Sequence, residues 1–512
     1  MSNKITFAIY LVLSVLLSIN FGSNGIWYFI FSAFIGLVVL LYRPEVGANL
    51  KISKYLLIVP IVIFLLSRLL PFFLYGPEPL GYDTGFYKYS LNQERDHKLG
   101  NLFLPINESS GSRIIAASLI SLGFSDPEIM YGFYIFLGAL IGCLIYLLSK
   151  KYFGENASIF STFVYSISFV QYLAFWGMFW KNAVGLCLIL FIFLLIEKNK
   201  LKYYLATLPL VALVVVTHRT SAFLLILSLF FWALLNKKIK VSYKFLSAGA
   251  LLVLGAAFLY INKEIALQLW QQINSGFKTY YDSFSVKEGI FIDTYQFFDI
   301  GYSFFYLPFA LVTFLSLLKK KKISQVLIYS IICASIVLVK FVFYKRVLIY
   351  LDISLLIFFG YSFNIFIEKI RLATSSRYLK VFLFILLLFP TLLFLINVIN
   401  QKPLISKEEI RAIENLKTIQ PELKLFTYNS YYTPWLYGFS GHRIIAPGWG
   451  DGTWNLEKWQ MFWSANMDIK QKMLVEFQPP FLVYDNGDGF FKFSAGNCFS
   501  KISDHLQLFN CR

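Results

Sequence analysis

The chain has 512 residues, of which 58% are hydrophobic and only 14% are charged, and its formal net charge is +18. Soluble domains are about 45–50% apolar, so a soluble chain of this length would leave too much apolar surface in water. The composition therefore favours a polytopic membrane protein over a soluble one. The five cysteines include no CxxC pair, which argues against a zinc or thioredoxin-type site.

Apolar stretches follow one another from the N-terminus to residue 400, and most are close to the length of about 20 residues that spans a bilayer. The first has no clear small-x-small cleavage site, so we interpret it as a retained helix and not as a signal peptide. These stretches predict about thirteen transmembrane helices, with uncertain ends. The predicted spans are 5–21, 26–42, 55–75, 129–149, 157–175, 180–196, 202–217, 220–236, 244–262, 302–318, 324–341, 346–366 and 379–399.

The distribution of lysine and arginine predicts the orientation. If the N-terminus is cytoplasmic, the inner loops hold most of the basic residues, such as the run of four lysines at 319–322. An odd number of spans then places the C-terminus outside, together with long outer segments at 76–128, 263–301 and 401–512. The positive charge is thus mainly a signal of topology, which argues against a nucleic-acid partner.

Residues after 400 no longer resemble a membrane segment. We predict a transmembrane domain at 1–400 and a small extracytoplasmic α/β or α+β domain at 401–512. Ser406 and Glu409 form a capping-box pattern, and KLFTY (424–428) and PFLVYD (480–485) are typical of short buried strands. The oxidising location would allow a disulfide between Cys498 and Cys511. Four tryptophans of this segment are candidates for the domain core, namely Trp435, Trp449, Trp454 and Trp459.

Asp83 lies just beyond the outer end of the third predicted span, in the stretch GYDTGFYKYS (81–90). It has two interpretations that can coexist. An aspartate before TGFYKYSL can cap a helix N-terminus, or it can serve at the membrane surface by holding a metal ion or accepting a proton from an attacking hydroxyl. Tyr82 and Tyr87 beside it either contact a sugar or acceptor, or belong to an interfacial aromatic belt.

Basic residues also stand at the outer ends of several spans, close to hydrocarbon, where charge is costly and often functional. Converging there, they would bind a phosphate; the alternative is anchoring to lipid headgroups. Asp293 and Asp299, in the outer segment 263–301, are candidates for a second acid or a metal ligand opposite Asp83. Asp352, inside a span, is expected to pair with Arg68 or with a basic residue of the outer mouth. The basic residues are Lys181, His218, Arg219, Lys345 and Arg346.

Taken together, the early outer acid, the many spans and the terminal outer domain resemble the GT-C superfamily of integral membrane glycosyltransferases. The stretches GYDTGFYKY, MFWKNAVGL and THRTSAFLL carry the resemblance. It implies transfer of a sugar from a polyprenyl-phosphate-linked donor to a glycan, lipid or protein acceptor on the extracytoplasmic side. The basic residues would hold the donor phosphate, and Asp83 would activate the acceptor or help to hold a metal. The four tryptophans would then suit stacking on a sugar. The family's first-loop motif is usually a pair of acids, whereas the matching stretch here has Asp83, so a divalent metal such as Mg²⁺ or Mn²⁺ is left open.

Three alternatives stay open at the level of sequence. A polysaccharide polymerase or ligase would also use a lipid-linked sugar, but it would place its basic residues in a large loop between spans. A transporter or flippase for lipid-linked glycans would show charges near the bilayer midplane and internal symmetry. A non-catalytic membrane scaffold would tolerate a single first-loop acid.

Overall fold

The structure is a computed structural model of the full chain. The residues that it describes are 2–41, 52–78, 81–96, 110–198, 200–235, 249, 256, 292, 294–322, 324–341, 344–373, 376–428, 431–447, 449–450, 454–484, 498–503 and 505–511.

The first 400 residues are helical in every described stretch of secondary structure. The helices are α1 Asn3–Ser18, α2 Gly25–Gly36, α3 Ile58–Tyr75, α4 Thr84–Asp96, α5 Ser110–Ser121, α6 Tyr134–Phe153, α7 Glu155–Ser166, α8 Phe169–Trp176, α9 Trp180–Ile196, α10 Leu201–Thr217, α11 Arg219–Leu235, α12 Thr294–Phe297, α13 Leu307–Lys319, α14 Gln325–Leu338, α15 Tyr344–Ala373 and α16 Ser376–Asn400.

Within the described residues, five helical stretches are long and apolar enough to cross a bilayer, or six if the bent pair α7–α8 counts as one span. An integral membrane protein is therefore confirmed in outline, while the count of thirteen spans is not. Several predicted spans are apolar helices of 10–17 residues, including α9, α10 and α11. The predicted span 244–262 lies outside the described residues, apart from residues 249 and 256.

The first two predicted spans form a helical hairpin. Gly22 breaks the helix with φ 51°, a left-handed conformation that glycine adopts at little cost. Helix α2 then packs back along α1. The hydroxyl groups of Tyr10 and Ser14 each lie 2.7 Å from the Ser32 hydroxyl, so the buried polar groups of the hairpin satisfy one another.

Helices α7 and α8 form one broken element with a bend of 47°. Arg68 donates a hydrogen bond to the Ser166 carbonyl at 3.2 Å, at the C-terminal end of α7. Asp352 accepts hydrogen bonds from Ser168 Oγ at 2.8 Å and Gln171 Nε2 at 2.9 Å, at the N-terminal end of α8. Each charge therefore stabilises the helix end of opposite polarity.

This arrangement corrects the expected pairing of Asp352 with Arg68 or with an outer basic residue. Tyr306 is a third hydrogen-bond donor to the Asp352 carboxylate. The Arg68 guanidinium stacks instead on aromatic rings, with Phe64 at 4.7 Å and Tyr172 at 5.5 Å from its central carbon. The break in the helix is not revealed by a sequence pattern. It frees the Ser166 carbonyl for Arg68 and places the side chains of Ser168 and Gln171 beside Asp352.

Beyond residue 400, the described residues contain a six-stranded mixed sheet with the order β3-β2-β1-β4-β6-β5. Strand β1 is parallel to β2 and β4, and the remaining pairs are antiparallel. The elements are α17 Lys407–Asn415, β1 Leu425–Phe426, α18 Thr433–Phe439, β2 Ile444–Ala446, β3 Trp449–Gly450, α19 Leu456–Ser464, α20 Met467–Leu474, β4 Phe481–Tyr484, β5 Phe499–Ser503 and β6 Leu506–Phe509.

Several local predictions for this segment are confirmed. Ser406 and Glu409 form the capping box of α17, and the two predicted strands are β1 and β4, adjacent at the centre of the sheet. Cys498 and Cys511 are joined as a disulfide with Cα atoms 4.8 Å apart. Trp435, Trp454 and Trp459 are buried, so the core interpretation holds for them; the side chain of Trp449 lies outside the described part.

The sheet segment packs on the membrane segment through the loop after α3 that carries Asp83. Helix α4 crosses α18, and a Cβ added to Gly85 would come within 1.8 Å of the Pro434 carbonyl oxygen. Gly438 makes an equally tight approach from the other side, since its Cβ would lie 2.4 Å from the Gly85 carbonyl oxygen. The contact therefore requires glycine at both positions and holds the start of α4 in place.

Candidate active site

Asp83 is held between the end of α8 and the start of α4. Its backbone N–H donates to the Gly177 carbonyl at 3.2 Å, and its own carbonyl accepts from the Tyr87 N–H at 3.1 Å. Gly81 lies so close to α8 that an added Cβ would fall 1.8 Å from the Trp176 carbonyl oxygen. Asp83 thus lies directly before α4, at the position that the capping interpretation expects, and is anchored from both sides.

The Asp83 carboxylate faces the guanidinium of Arg346. Asp83 Oδ2 and Arg346 Nη2 are 3.9 Å apart, and the side chains are 13% and 23% exposed. This separation is longer than a hydrogen bond, so the two groups attract each other without completing one another's hydrogen bonding. The Arg346 guanidinium also stacks on Phe179, 5.0 Å from the ring centre.

Arg346 has an unsatisfied donor. Its Nε is buried and has no hydrogen-bond partner among the described residues. Buried polar groups in native structures almost always have a partner, and an orphan one points to a missing ligand, ion or water. A guanidinium with a free edge beside a carboxylate suits an anionic group of a substrate.

Burial raises the pKa of Asp83, and the charges of Arg346 and Lys181 oppose this rise. Desolvation penalises the charged carboxylate more than the two basic residues stabilise it. The carboxyl group therefore accepts a proton more readily than an ordinary aspartate does, as a general base requires.

The other basic residues converge here from the N-terminal ends of three helices. Lys181 lies in the first turn of α9, with Nζ 5.7 Å from the centre of the Tyr87 ring. Arg219 begins α11, and Arg346 lies in the first turn of α15. The charges of all three act on the imidazole of His218, the residue before α11.

This placement is electrostatically unfavourable without a ligand. A helix N-terminus carries a partial positive charge, so a basic residue there costs stability. The same end of a helix is suited to bind an anion. Three basic residues at the N-terminal ends of three helices therefore suit an anion. Lys345 precedes Arg346 in the same first turn, where neighbouring residues do not face the same way.

Tyr82 and Tyr87 are buried by protein and not open to a sugar. Tyr82 is 4% exposed and packs edge-on against Trp435, with ring centres 6.0 Å apart. Tyr87 is 7% exposed and packs against Trp180 at 5.1 Å. Both rings have a supporting role in this structure, one toward the sheet segment and one toward α9.

The two candidates for a second acid are not brought to Asp83 by the described residues. Asp293 lies outside that part of the chain. Asp299 is exposed and accepts a hydrogen bond from the Ile300 N–H at 2.7 Å, within its own turn. Glu78 also precedes Asp83, a carboxylate that the sequence interpretation passed over. Burial raises the pKa of Glu78. The charges that act on this carboxylate are those of Lys88, Glu414, Asp126 and Lys417, and Arg346 is not among them.

The described residues around Asp83 do not fit a divalent metal. Among the described residues, no group of three or more His, Cys, Asp or Glu side chains could hold a metal ion. The charged neighbours of Asp83 are Arg346 and Lys181, which would repel a divalent cation. The donor set thus suits an anion, and we derive no step through a metal.

A cavity of about 420 Å³ lies between α2, α7, α16 and the segment that leads into α13. It is mainly apolar, and Trp27 and Phe389 on its rim are 65% and 54% exposed on the outer surface of the helices. Its lining includes Ile167, at the break between α7 and α8. Helix α8 then runs from this break to Gly177, the residue that anchors Asp83.

Comparisons with known proteins were made by sequence and by fold. Residues 114–261 match the family model described as dolichyl-phosphate-mannose-protein mannosyltransferase, PMT_2. No curated protein matches the sequence at a significant level.

Solved structures of an archaeal enzyme share the fold. The Archaeoglobus fulgidus oligosaccharyltransferase in complex with Zn and sulfate has a TM-score of 0.58 at 12% identity, covering 84% of this chain and 68% of that chain. Its apo form has a TM-score of 0.58 at 13% identity, covering 85% and 70%. The oligosaccharyltransferase AglB of the same organism, with an inhibitory peptide and a dolichol-phosphate, has a TM-score of 0.56 at 12% identity, covering 84% and 69%.

Part of the candidate active site lies within the family match. The family model covers α5 to α11 and so includes Lys181, His218 and Arg219, while the fold match extends over most of the chain. The predicted resemblance is thereby confirmed: residues 114–261 are similar to a family of mannosyltransferases that use a lipid-linked donor, and the fold is similar to that of an oligosaccharyltransferase.

Proposed function

We propose that the protein transfers a sugar from a polyprenyl-phosphate-linked donor to an acceptor on the extracytoplasmic side, with Asp83 as the general base. The observation that carries this proposal is the orphan Nε of Arg346 beside Asp83. It supports a site in which Asp83 accepts a proton while the guanidinium of Arg346 binds a phosphate.

Each group has a defined task in the proposed reaction. The acceptor nucleophile attacks the anomeric carbon and loses its proton to Asp83, while the bond between that carbon and the phosphate oxygen breaks. Negative charge builds on the leaving phosphate. Arg346, Lys181 and Arg219 stabilise this charge, His218 donates a hydrogen bond, and Lys345 contributes to the surrounding positive potential.

The apolar cavity beside α8 is our candidate for the lipid tail. It is large, mainly apolar and lined in part by residues on the outer surface of the helices, as a tail that enters from the bilayer requires. One short helix separates its inner end from the anchor of Asp83. A polyprenyl chain could therefore lie in hydrocarbon while its phosphate reaches the basic residues.

Topology and acceptor complete the proposal. We place the N-terminus in the cytoplasm and residues 401–512 outside as a separate domain. The contact between Tyr82 and Trp435 supports this placement, because it brings the sheet segment to the same side as Asp83. The matching family is described as a protein mannosyltransferase, and one structure of the Archaeoglobus fulgidus oligosaccharyltransferase holds a tethered acceptor peptide. A peptide is therefore the first acceptor to test, ahead of a glycan or a lipid.

The test uses purified protein in lipid nanodiscs with polyprenyl-phosphate sugars that carry a radiolabel, and peptide, glycan and lipid acceptors. Wild-type protein should release the labelled sugar, and Asp83→Asn should not. Asp468→Asn is the matched control, since it makes the same change at an exposed position of α20.

Other outcomes would favour the alternatives. Elongation of a glycan chain by many units would indicate a polymerase. Movement of intact donor between leaflets without sugar release would indicate a flippase. Absence of turnover and of donor binding over the whole panel would favour a scaffold.

A further inference from the structure

Among the described residues, the side chain of His218 makes its hydrogen bonds through one ring nitrogen. The side chain is 7% exposed and sits between α10 and α11. Nδ1 lies 2.9 Å from Ser221 Oγ and 3.1 Å from the Tyr350 hydroxyl. The backbone N–H of Ser221 also donates to Nδ1 at 3.3 Å. None of these contacts uses Nε2.

The backbone contact assigns the tautomer. A backbone N–H can only donate, so Nδ1 must accept and carries no proton. The ring proton of the neutral imidazole then sits on Nε2. Burial lowers the pKa of His218 most, and the charges of Arg346, Lys181 and Arg219 lower it further. The imidazole is therefore a neutral hydrogen-bond donor among three cations.

The groups around Nδ1 come from the three helices that carry the basic residues. Tyr350 lies four residues after Arg346 on α15, and so on the same face of that helix. Its hydroxyl lies 2.7 Å from Ser221 Oγ on α11 and accepts from Asn182 Nδ2 on α9 at 3.2 Å. Asn182 follows Lys181 directly.

This close junction depends on a glycine. A Cβ added to Gly185 on α9 would come within 2.0 Å of Ser221 Oγ. The sequence thus lets α9 and α11 approach closely at the point where Tyr350 bridges them. The same three helices therefore hold both the hydrogen-bond network around His218 and the three basic residues.

We propose that Tyr350, Ser221 and Asn182 are positioning residues that hold His218 as the Nε2–H tautomer, so that it donates a neutral hydrogen bond to the donor phosphate. This inference rests on the proposed function. The pattern of charges in the sequence does not point to these three residues. Tyr350 and Ser221 carry only a hydroxyl group, and Asn182 carries only an amide.

The test compares two replacements of His218. In His218→Gln the amide nitrogen can take the place of Nε2, whereas in His218→Asn it can take only that of Nδ1. We expect His218→Gln to keep the KM for the donor within a few-fold of wild type. His218→Asn should raise it about 10- to 100-fold, the cost of one hydrogen bond to a charged group, with a smaller change in kcat.

A rise in the KM for the donor with a smaller change in kcat is also expected when the positioning residue Tyr350 is replaced. Tyr350→Phe should raise the KM for the donor about tenfold, because the ring of His218 loses a partner. Tyr165→Phe is the matched control. It removes a hydroxyl that is also buried and that donates to the Gly138 carbonyl at 2.8 Å, away from the network.

Binding of polyprenyl phosphate, measured by thermal shift, separates this inference from the proposed function. The inference is overturned if His218→Asn binds this lipid at least as well as His218→Gln, or if both tyrosine variants behave alike. Turnover that is absent in wild type while the order of binding holds would instead overturn the proposed transfer reaction.

Discussion

Among the described residues, two sets of an aspartate and an arginine, Asp352 with Arg68 and Asp83 with Arg346, are built differently. Asp352 and Arg68 are fully buried, and their polar atoms meet hydroxyl, amide and carbonyl groups at the break between α7 and α8. Asp83 and Arg346 are partly exposed, stand 3.9 Å apart, and leave Arg346 Nε without a partner in the described part of the chain.

This is the difference expected between charges that support the fold and charges that take part in a reaction. Charges in a membrane segment are costly, and satisfaction by fixed dipoles makes them tolerable in a structural role. Charges that are left incomplete cost stability and persist where a ligand completes them. The comparison predicts that substitutions in the first set reduce stability and that those in the second reduce activity.

The largest effect is expected for Asp83→Asn. Loss of the general base should reduce kcat about 10²- to 10⁴-fold. The fold should not suffer, because burial raises the pKa of Asp83 and ionisation of this group therefore opposes folding as pH rises. Sugar-release kinetics and thermal unfolding of the same preparation check both parts. A large loss of thermal stability would place Asp83 with the structural set.

Asp352→Ala should have the opposite profile. It leaves buried donors of Tyr306, Ser168 and Gln171 without an acceptor. Each orphan donor costs about 1–3 kcal/mol, so we expect a loss of about 3 kcal/mol in the free energy of unfolding. Thermal unfolding in nanodiscs measures it, with Ser354→Ala on the same helix as the control. Full stability together with lost turnover would contradict the assignment of Asp352 to the structural set.

Arg346→Lys tests the geometry of the anion site while keeping its charge. Lysine lacks the planar fork and would lose the stacking on Phe179. We expect kcat to fall about 10- to 100-fold, as for the loss of a hydrogen bond to a charged group in the transition state. Unchanged kinetics would mean that only the positive charge matters.

The pH dependence sharpens the assignment of Asp83. The base must be ionised, so kcat/KM should rise with pH through an apparent pKa above that of an ordinary aspartate, in line with the direction of its shift. Lys181→Met removes a charge that lowers this pKa, and the acid limb should therefore move to higher pH. A limb that stays in place would assign the titration to another group.

The smallest effect is expected from chelation of divalent metals. Because the charged neighbours of Asp83 are basic, EDTA should change turnover by less than about twofold, within the scatter of such assays. A strong requirement for Mg²⁺ or Mn²⁺ would imply that an acid such as Asp293, outside the described residues, joins Asp83.

Much of the architecture was predictable from the residues alone. Hydropathy indicates the membrane class, the capping box of α17 is a local pattern, and the strands β1 and β4 are short apolar runs. Proximity of Asp83 to basic residues was an inference from the topology of the loops. The span count was less predictable, since short apolar helices and a broken pair do not follow a fixed length.

The sequence by itself determined which residues are chemically able to act, because charge and hydropathy are properties of single side chains and their local order. It also determined where two elements can approach closely, because Gly81, Gly85 and Gly185 have no Cβ. Only the tertiary structure decided which charges are satisfied and which are open. That distinction depends on contacts between helices far apart in the chain, such as Tyr350 with His218 and Asp83 with Arg346, and no local pattern encodes such contacts.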